Sequence, residues 1–208
     1  MSHKCFISFK KEDQKYKDNI LTVMGDDHIT GKALDKTIDS DDIDYVMQTI
    51  RNDYMKNTSV TIFLIGEHSS EKEGKDSMGR NKQSFIIKEL QATLYNGTNF
   101  SRSGLLGIVL PHMYAKIYKG HEYCQQCNEN HSIVQICDNT VIREFSANFY
   151  LKPKEDGCKQ AYSEDGKFCV LVKYDDFIQQ GKQDKYIDQA FDKTQAKIND
   201  FVHWRDLR

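Results

Sequence analysis

The sequence predicts an α/β protein built on a sheet of mainly parallel strands flanked by helices. Two observations carry this. The runs at 59–65 (Ser-Val-Thr-Ile-Phe-Leu-Ile) and 105–110 (Leu-Leu-Gly-Ile-Val-Leu) are nearly continuously apolar, as strands buried on both faces are. Segments with apolar residues at i, i+3, i+4 and i+7 precede and separate them, the spacing of amphipathic helices. Parallel strands joined by right-handed helical crossovers explain this alternation.

The elements follow in order. Residues 4–9 (Lys-Cys-Phe-Ile-Ser-Phe) form a short buried strand, and Lys10 to Asp13 break it as a loop. Tyr16, Ile20, Leu21, Val23 and Met24 predict a helix over 14–24. The stretch 25–42 is polar and reads as a loop, with room for a short strand at His28-Ile29. Ile43, Val46, Met47, Ile50 and Tyr54 predict a helix over 43–56, with Asp39 to Asp42 placed to cap it. After strand 59–65 comes a charged loop at 70–82. A helix over 85–95 follows, closed by Asn96-Gly97, and then strand 105–110, stopped by Pro111. Residues 112–166 lack long periodic stretches and read as an irregular insertion before the last strand, with short strands near 132–136 and 140–145. Phe168 to Val172 predict that last strand, and 186–204 a long C-terminal helix. The whole of 1–208 reads as a single domain.

Composition narrows the function classes. No apolar run approaches the ~20 residues of a membrane span, and no signal-peptide apolar segment opens the chain, so a cytoplasmic protein without a membrane partner is expected. A formal net charge of −2 argues against a dedicated nucleic-acid binder. Among the six cysteines, Cys5 and Cys169 sit in apolar runs and read as small core residues. Cys124-x2-Cys127, with His121, His131 and Cys137 nearby, has two readings: a zinc knuckle, or free thiols in a loop. The irregular spacing and the lack of a second Cys-x2-Cys pair favour free thiols, and no metal is expected.

The common phosphate-cradling loops are missing. No Gly-x-Gly-x-x-Gly follows the first strand, and there is no Gly-Lys-[Ser/Thr] and no Gly-x-Ser-x-Gly elbow. In an open α/β sheet the site lies at the carboxyl ends of the strands. Ser8, Phe9 and Lys10 stand at the first of these ends, and Asp35, Asp39 and Ser40 follow the presumed second strand. Gly66, Glu67 and His68 follow strand 59–65. Phe85 and Glu89 are four residues apart and share one helix face. Spacing alone makes Phe85 a core residue and Glu89 a solvated charge.

Three segments change that reading. Lys4-Cys5-Phe6-Ile7-Ser8-Phe9-Lys10, with Glu12-Asp13 behind it, resembles the N-terminal strand and polar loop of the TIR-like domains of Thoeris antiphage defence systems. Lys56-Asn57-Thr58-Ser59-Val60-Thr61-Ile62-Phe63-Leu64-Ile65-Gly66 closely resembles that family's Asn-Thr-Ser-Val-Thr strand ending in Leu-Ile-Gly. The Phe85-to-Glu89 unit is similar to the Trp-x-x-x-Glu helix of TIR enzymes, with Phe in the Trp position. The resemblance covers roughly residues 4–110.

The resemblance implies a flavodoxin-like sheet and a hydrolase or ADP-ribosyl cyclase that takes NAD as substrate, with no cofactor or metal. It would cleave the nicotinamide–ribose bond and make a cyclic or modified ADP-ribose that activates a partner effector. By position Glu89 would be the catalytic carboxylate. Ser8, Phe9 and Lys10 would line the substrate cleft, Asp35 would supply a loop acid, and Phe85 would wall the site. A phage trigger protein and homo-oligomer formation are further implied partners. The alternative is a catalytically silent TIR-like scaffold that acts by protein–protein assembly.

Overall fold

A computed structural model describes residues 3–25, 28–97, 99–153, 158 and 162–204. In chain order the elements are β1 (Cys5–Ser8), α1 (Gln14–Met24), α2 (Ile43–Asp53), β2 (Val60–Ile65), α3 (Ser84–Leu94) and β3 (Gly104–Val109). They continue with α4 (Tyr114–Ile117), β4 (Tyr118–Cys124), β5 (Glu129–Val134), α5 (Arg143–Ser146), β6 (Val170–Lys173), α6 (Tyr174–Phe177) and α7 (Gln183–Asp192). The main sheet runs β1-β2-β3-β6 with every pairing parallel, as the flavodoxin-like expectation requires. His28-Ile29 contributes a single parallel bridge, Ile29 to Cys5, outside β1. β4 and β5 form a separate antiparallel hairpin.

Period-two alternation sorts the strand side chains between two helical layers. Cys5, Ile7, Val60, Ile62, Leu64, Leu106 and Ile108 pack with Ile20 of α1, Phe177 of α6 and Ile187 of α7. On the other face Phe6 joins Met47 and Ile50 of α2, while Phe63, Ile65 and Val109 join Leu90 of α3 and Phe145 of α5. Ser8, next in register after Phe6 on that second face, therefore points toward α3. Asp42 begins α2 by accepting the Tyr45 N–H at 3.1 Å, the cap expected from the acidic run before it.

Several segments depart from expectation. The stretch at 140–145 is not a strand but leads into α5, because Ile142, Phe145 and Phe149 recur at helical spacing and all turn inward. Val141, Ile142, Phe145 and Phe149 are at most 1% exposed, so this part of the 112–166 insertion belongs to the core. Gly107 in β3 makes room for it: a Cβ there would lie 2.5 Å from the Phe145 ring. Residues 154–157 and 159–161 of the insertion lie outside the described residues. The strand near 132–136 is β5, shifted to Glu129–Val134; its partner β4 gives no alternating signal because residues 119–123 are exposed. The last strand starts two residues late, since the Phe168 and Cys169 N–H groups bond the Asn148 carbonyl instead of β3. The long C-terminal helix is two pieces, α7 and a 3-10 turn at Lys197–Phe201. Thr194 ends the first piece by sending both its N–H and its hydroxyl to the Phe191 carbonyl.

Candidate functional site

α3 carries Ile86, Leu90, Thr93 and Leu94 into the core, and Glu89 is swept inward among them. Glu89 is 2% exposed, not the solvated charge that spacing alone suggests. Both its oxygens are occupied. Ser8 Oγ donates to Oε2 at 2.6 Å, and the Leu34 backbone N–H donates to Oε1 at 2.8 Å. Thr93 Oγ1 donates to the Glu89 carbonyl one turn back and meets Thr61 Oγ1 of β2 at 2.8 Å, which fixes this stretch of α3 against the sheet.

Burial pushes the Glu89 carboxyl from 4.5 up to about 7, because the charged form loses its hydration; the Ser8 and Leu34 hydrogen bonds oppose the rise. The carboxyl is thus divided between its acid and its anion near neutral pH. Such a group can trade protons with a reacting centre or sit as a negative charge beside a developing cation.

Of the other residues expected to line the cleft, the structure brings some near Glu89 and sends others elsewhere. Phe85 is half-buried one turn before Glu89, packed on the cluster containing Phe6, Leu34, Met47 and Tyr54. Asp35 is exposed and accepts from Tyr54 Oη at 3.2 Å; it adjoins the Leu34 amide that caps Glu89. Lys10 reaches forward to the Lys82 carbonyl at 2.8 Å, tying the β1 loop to the segment before α3. Phe9 lies on the opposite layer, packed with the cluster of α1 and α7 and 5.8 Å below the Lys17 ammonium. Alternation after Ser8 accounts for this: the residue that follows an inward-facing serine points to the other face.

Asp13, which the sequence marks only as part of the polar loop behind the first strand, also belongs to this end of the sheet. It follows β1, is 4% exposed, and its Oδ2 has no hydrogen-bond partner among the described residues. Burial raises its pKa, with the nearby His112 acting against the rise. The carboxylate lies against the Gly66 backbone, where a Cβ would stand 2.1 Å from Oδ2. The available signal was Gly66 itself, a glycine directly after the strongest strand and a mark of close approach.

A cleft of about 1080 Å³ opens elsewhere, beside the β4–β5 hairpin, lined by Tyr118, Tyr123, His131, Tyr150, Tyr162 and Lys167 among others. Glu89, Ser8 and Asp35 do not line it. The Glu89 carboxyl is instead covered by the 31–42 segment through Leu34. Among the described residues no helix is long and apolar enough to cross a membrane.

No curated protein matches the chain. Residues 6–74, a third of the sequence, match the family model described as Thoeris protein ThsB, TIR-like domain. The matched span holds Ser8, Asp13, Leu34, Asp35 and Gly66, and it ends before Phe85 and Glu89. Over this third of its length the chain is similar to the Thoeris ThsB TIR-like domain, and the parallel sheet with its flanking helices is consistent with a flavodoxin-like TIR fold.

Proposed function

We propose that the protein is an NAD-processing enzyme of antiphage defence, with Glu89 as its catalytic carboxylate. The observation that carries the reading is the buried Glu89 carboxyl, titrating near pH 7 and held by Ser8 at the carboxyl end of β1. In the proposed reaction the bond between ribose C1′ and the nicotinamide nitrogen breaks, and nicotinamide leaves with the electron pair. C1′ becomes oxocarbenium-like, and the ionised Glu89 stabilises that positive charge and orders the ribose hydroxyls. Water, or a nucleophile within the adenosine half, then bonds to C1′ and gives up its proton. The product is ADP-ribose or a cyclic or modified form of it, which would act as a diffusible signal to a partner effector.

Substrate access requires that the Leu34 amide leave Oε1, so that ribose hydroxyls take its place. The described conformation is then the shut form, and a phage-derived trigger or self-association would open it. Phe85 would wall the site and Asp35 would stand at its rim. Lys10 would have to exchange the Lys82 carbonyl for a substrate phosphate. Phe9 has the weakest claim to a place in the site, since its ring packs on the far layer.

The same burial favours a second reading, a silent scaffold in which Glu89 is a structural tie between β1, α3 and the 31–42 segment. One experiment separates the two. The purified full chain is incubated with NAD and a lysate of phage-infected cells, and nicotinamide is followed over time. The enzyme reading expects release that depends on both infection and protein. Absence of release, from a protein that still confers phage resistance, supports the scaffold.

A further inference from the structure

Three thiols and an imidazole converge at the tip of the β4–β5 hairpin. β4 ends at Cys124, the turn carries Cys127, β5 carries His131, and Cys158 arrives from a distant part of the chain. One ligand atom of each residue lies within 4.8 Å of every other. Cys124 Sγ and Cys158 Sγ are 3.5 Å apart, and Cys127 Sγ is 3.1 Å from His131 Nε2. Zinc bonds of about 2.3 Å to sulfur and about 2.0 Å to nitrogen, arranged tetrahedrally, set sulfurs ~3.8 Å apart and sulfur and nitrogen ~3.5 Å apart. Both observed separations fall within about 0.4 Å of those edges.

The turn also directs backbone N–H groups toward two of the sulfurs. The backbone N–H groups of Gln126 and Cys127 face Cys124 Sγ, and that of Glu129 faces Cys127 Sγ. Asn128 takes a left-handed conformation, φ 58°, and its N–H closes the turn on the Cys124 carbonyl at 2.8 Å. Tyr118 and Val134 anchor the base of the hairpin on the core, while its tip lacks such packing. Residues 119–123 of β4 are exposed, and an isolated two-stranded hairpin is marginal in water. A metal cross-link would supply what apolar burial does not.

We propose that Cys124, Cys127, His131 and Cys158 form a structural Cys3His zinc site that pins Cys158 to the hairpin. Four protein ligands complete a tetrahedron and leave no open position, which makes the site structural and not catalytic. On binding, three thiols lose their protons to solvent and neutral His131 coordinates through Nε2, so the loaded site carries one net negative charge. Cys137 is not part of the set: its N–H and carbonyl pair with Thr140 Oγ1 in the turn before α5. His121 is also outside it, with Nδ1 3.2 Å from Ser132 Oγ. The site is independent of the Glu89 chemistry.

The test is the metal content of the full chain, purified under reducing conditions without chelator. About one zinc per chain is expected. C137S should keep it, and C158S should lose most of it. To keep the test independent of the folding of C158S, native protein is also treated with a mercurial thiol reagent, with a chromogenic chelator reading zinc release in step with thiol modification. Apoprotein given cobalt(II) should develop the intense visible bands of tetrahedral thiolate coordination. Four results would overturn the site: zinc neither present nor taken up from stoichiometric zinc solution, full zinc retention by folded C158S, equal loss in C137S, or a mass that reports a Cys124–Cys158 disulfide in place of two thiols.

Discussion

Ser8 Oγ donates to Glu89 Oε2 at 2.6 Å, joining the carboxyl end of β1 to the middle of α3 across 81 residues of sequence. The contact ties a residue inside the family-matched span to the carboxyl that lies beyond it. It also lowers the energetic cost of the anion, and so sets how far the Glu89 pKa rises.

Ser8→Ala removes that donor from a fully buried acceptor. The Glu89 pKa should rise further, and the protein should lose about 1–3 kcal/mol of stability at pH 8, where the carboxylate is charged. At pH 4, where the carboxyl is protonated, the loss should be smaller. Urea unfolding of both proteins at the two pH values measures this.

Glu89 makes stability depend on pH in a defined direction. Its folded pKa of about 7 lies above the ordinary 4.5, so between these values the native state holds a proton that the unfolded chain has released. The contribution is fully present below pH 4.5 and is lost as pH rises through 7. The total is on the order of 3 kcal/mol. Glu89→Gln should flatten this part of the profile and be more stable than the parent at pH 8, since its amide can keep partners in Ser8 and the Leu34 N–H. Melting curves from pH 4 to 8 check both statements.

Gly107 and Phe145 test whether α5 is core. Phe145→Ala should cost about 3–5 kcal/mol, the usual cost of emptying a buried aromatic site. Gly107→Ala alone should cost about 1–3 kcal/mol, because its Cβ would stand 2.5 Å from the ring. In the double variant the added methyl meets no ring, so the two losses should fall short of additive. A denaturant double-mutant cycle reads the coupling.

Gly66 should tolerate no side chain while Asp13 keeps its place. Gly66→Ala should destabilise the protein, since its Cβ would lie 2.1 Å from Asp13 Oδ2. Combining it with Asp13→Gly should recover part of the loss, as thermal melting would show.

Much of the sheet could be read from the sequence because its strands are buried on both faces and announce themselves as apolar runs; Val60–Ile65 and Gly104–Val109 are the clearest. The pairing of Ser8 with Glu89 could not, because period-two and helical spacing assign faces within an element and say nothing of which atoms meet across 81 residues. The Leu34 amide was harder still, since it is a main-chain donor in a segment without regular structure. β4 escaped notice because an exposed hairpin needs no hydrophobic alternation. Nothing in the spacing pairs Cys158 with Cys124, since 33 residues without a spacing rule separate them, whereas Cys137 is nearer in sequence but outside the cluster.

If Glu89 is the catalytic carboxylate, as proposed, NAD cleavage is lost with it. The most direct measurement is mass spectrometry of small molecules from phage-infected cells carrying the parent chain or Glu89→Gln at matched protein levels. Nicotinamide and an ADP-ribose derivative are expected from the parent, with a loss of at least ~100-fold in the variant. Equal amounts from both would contradict it.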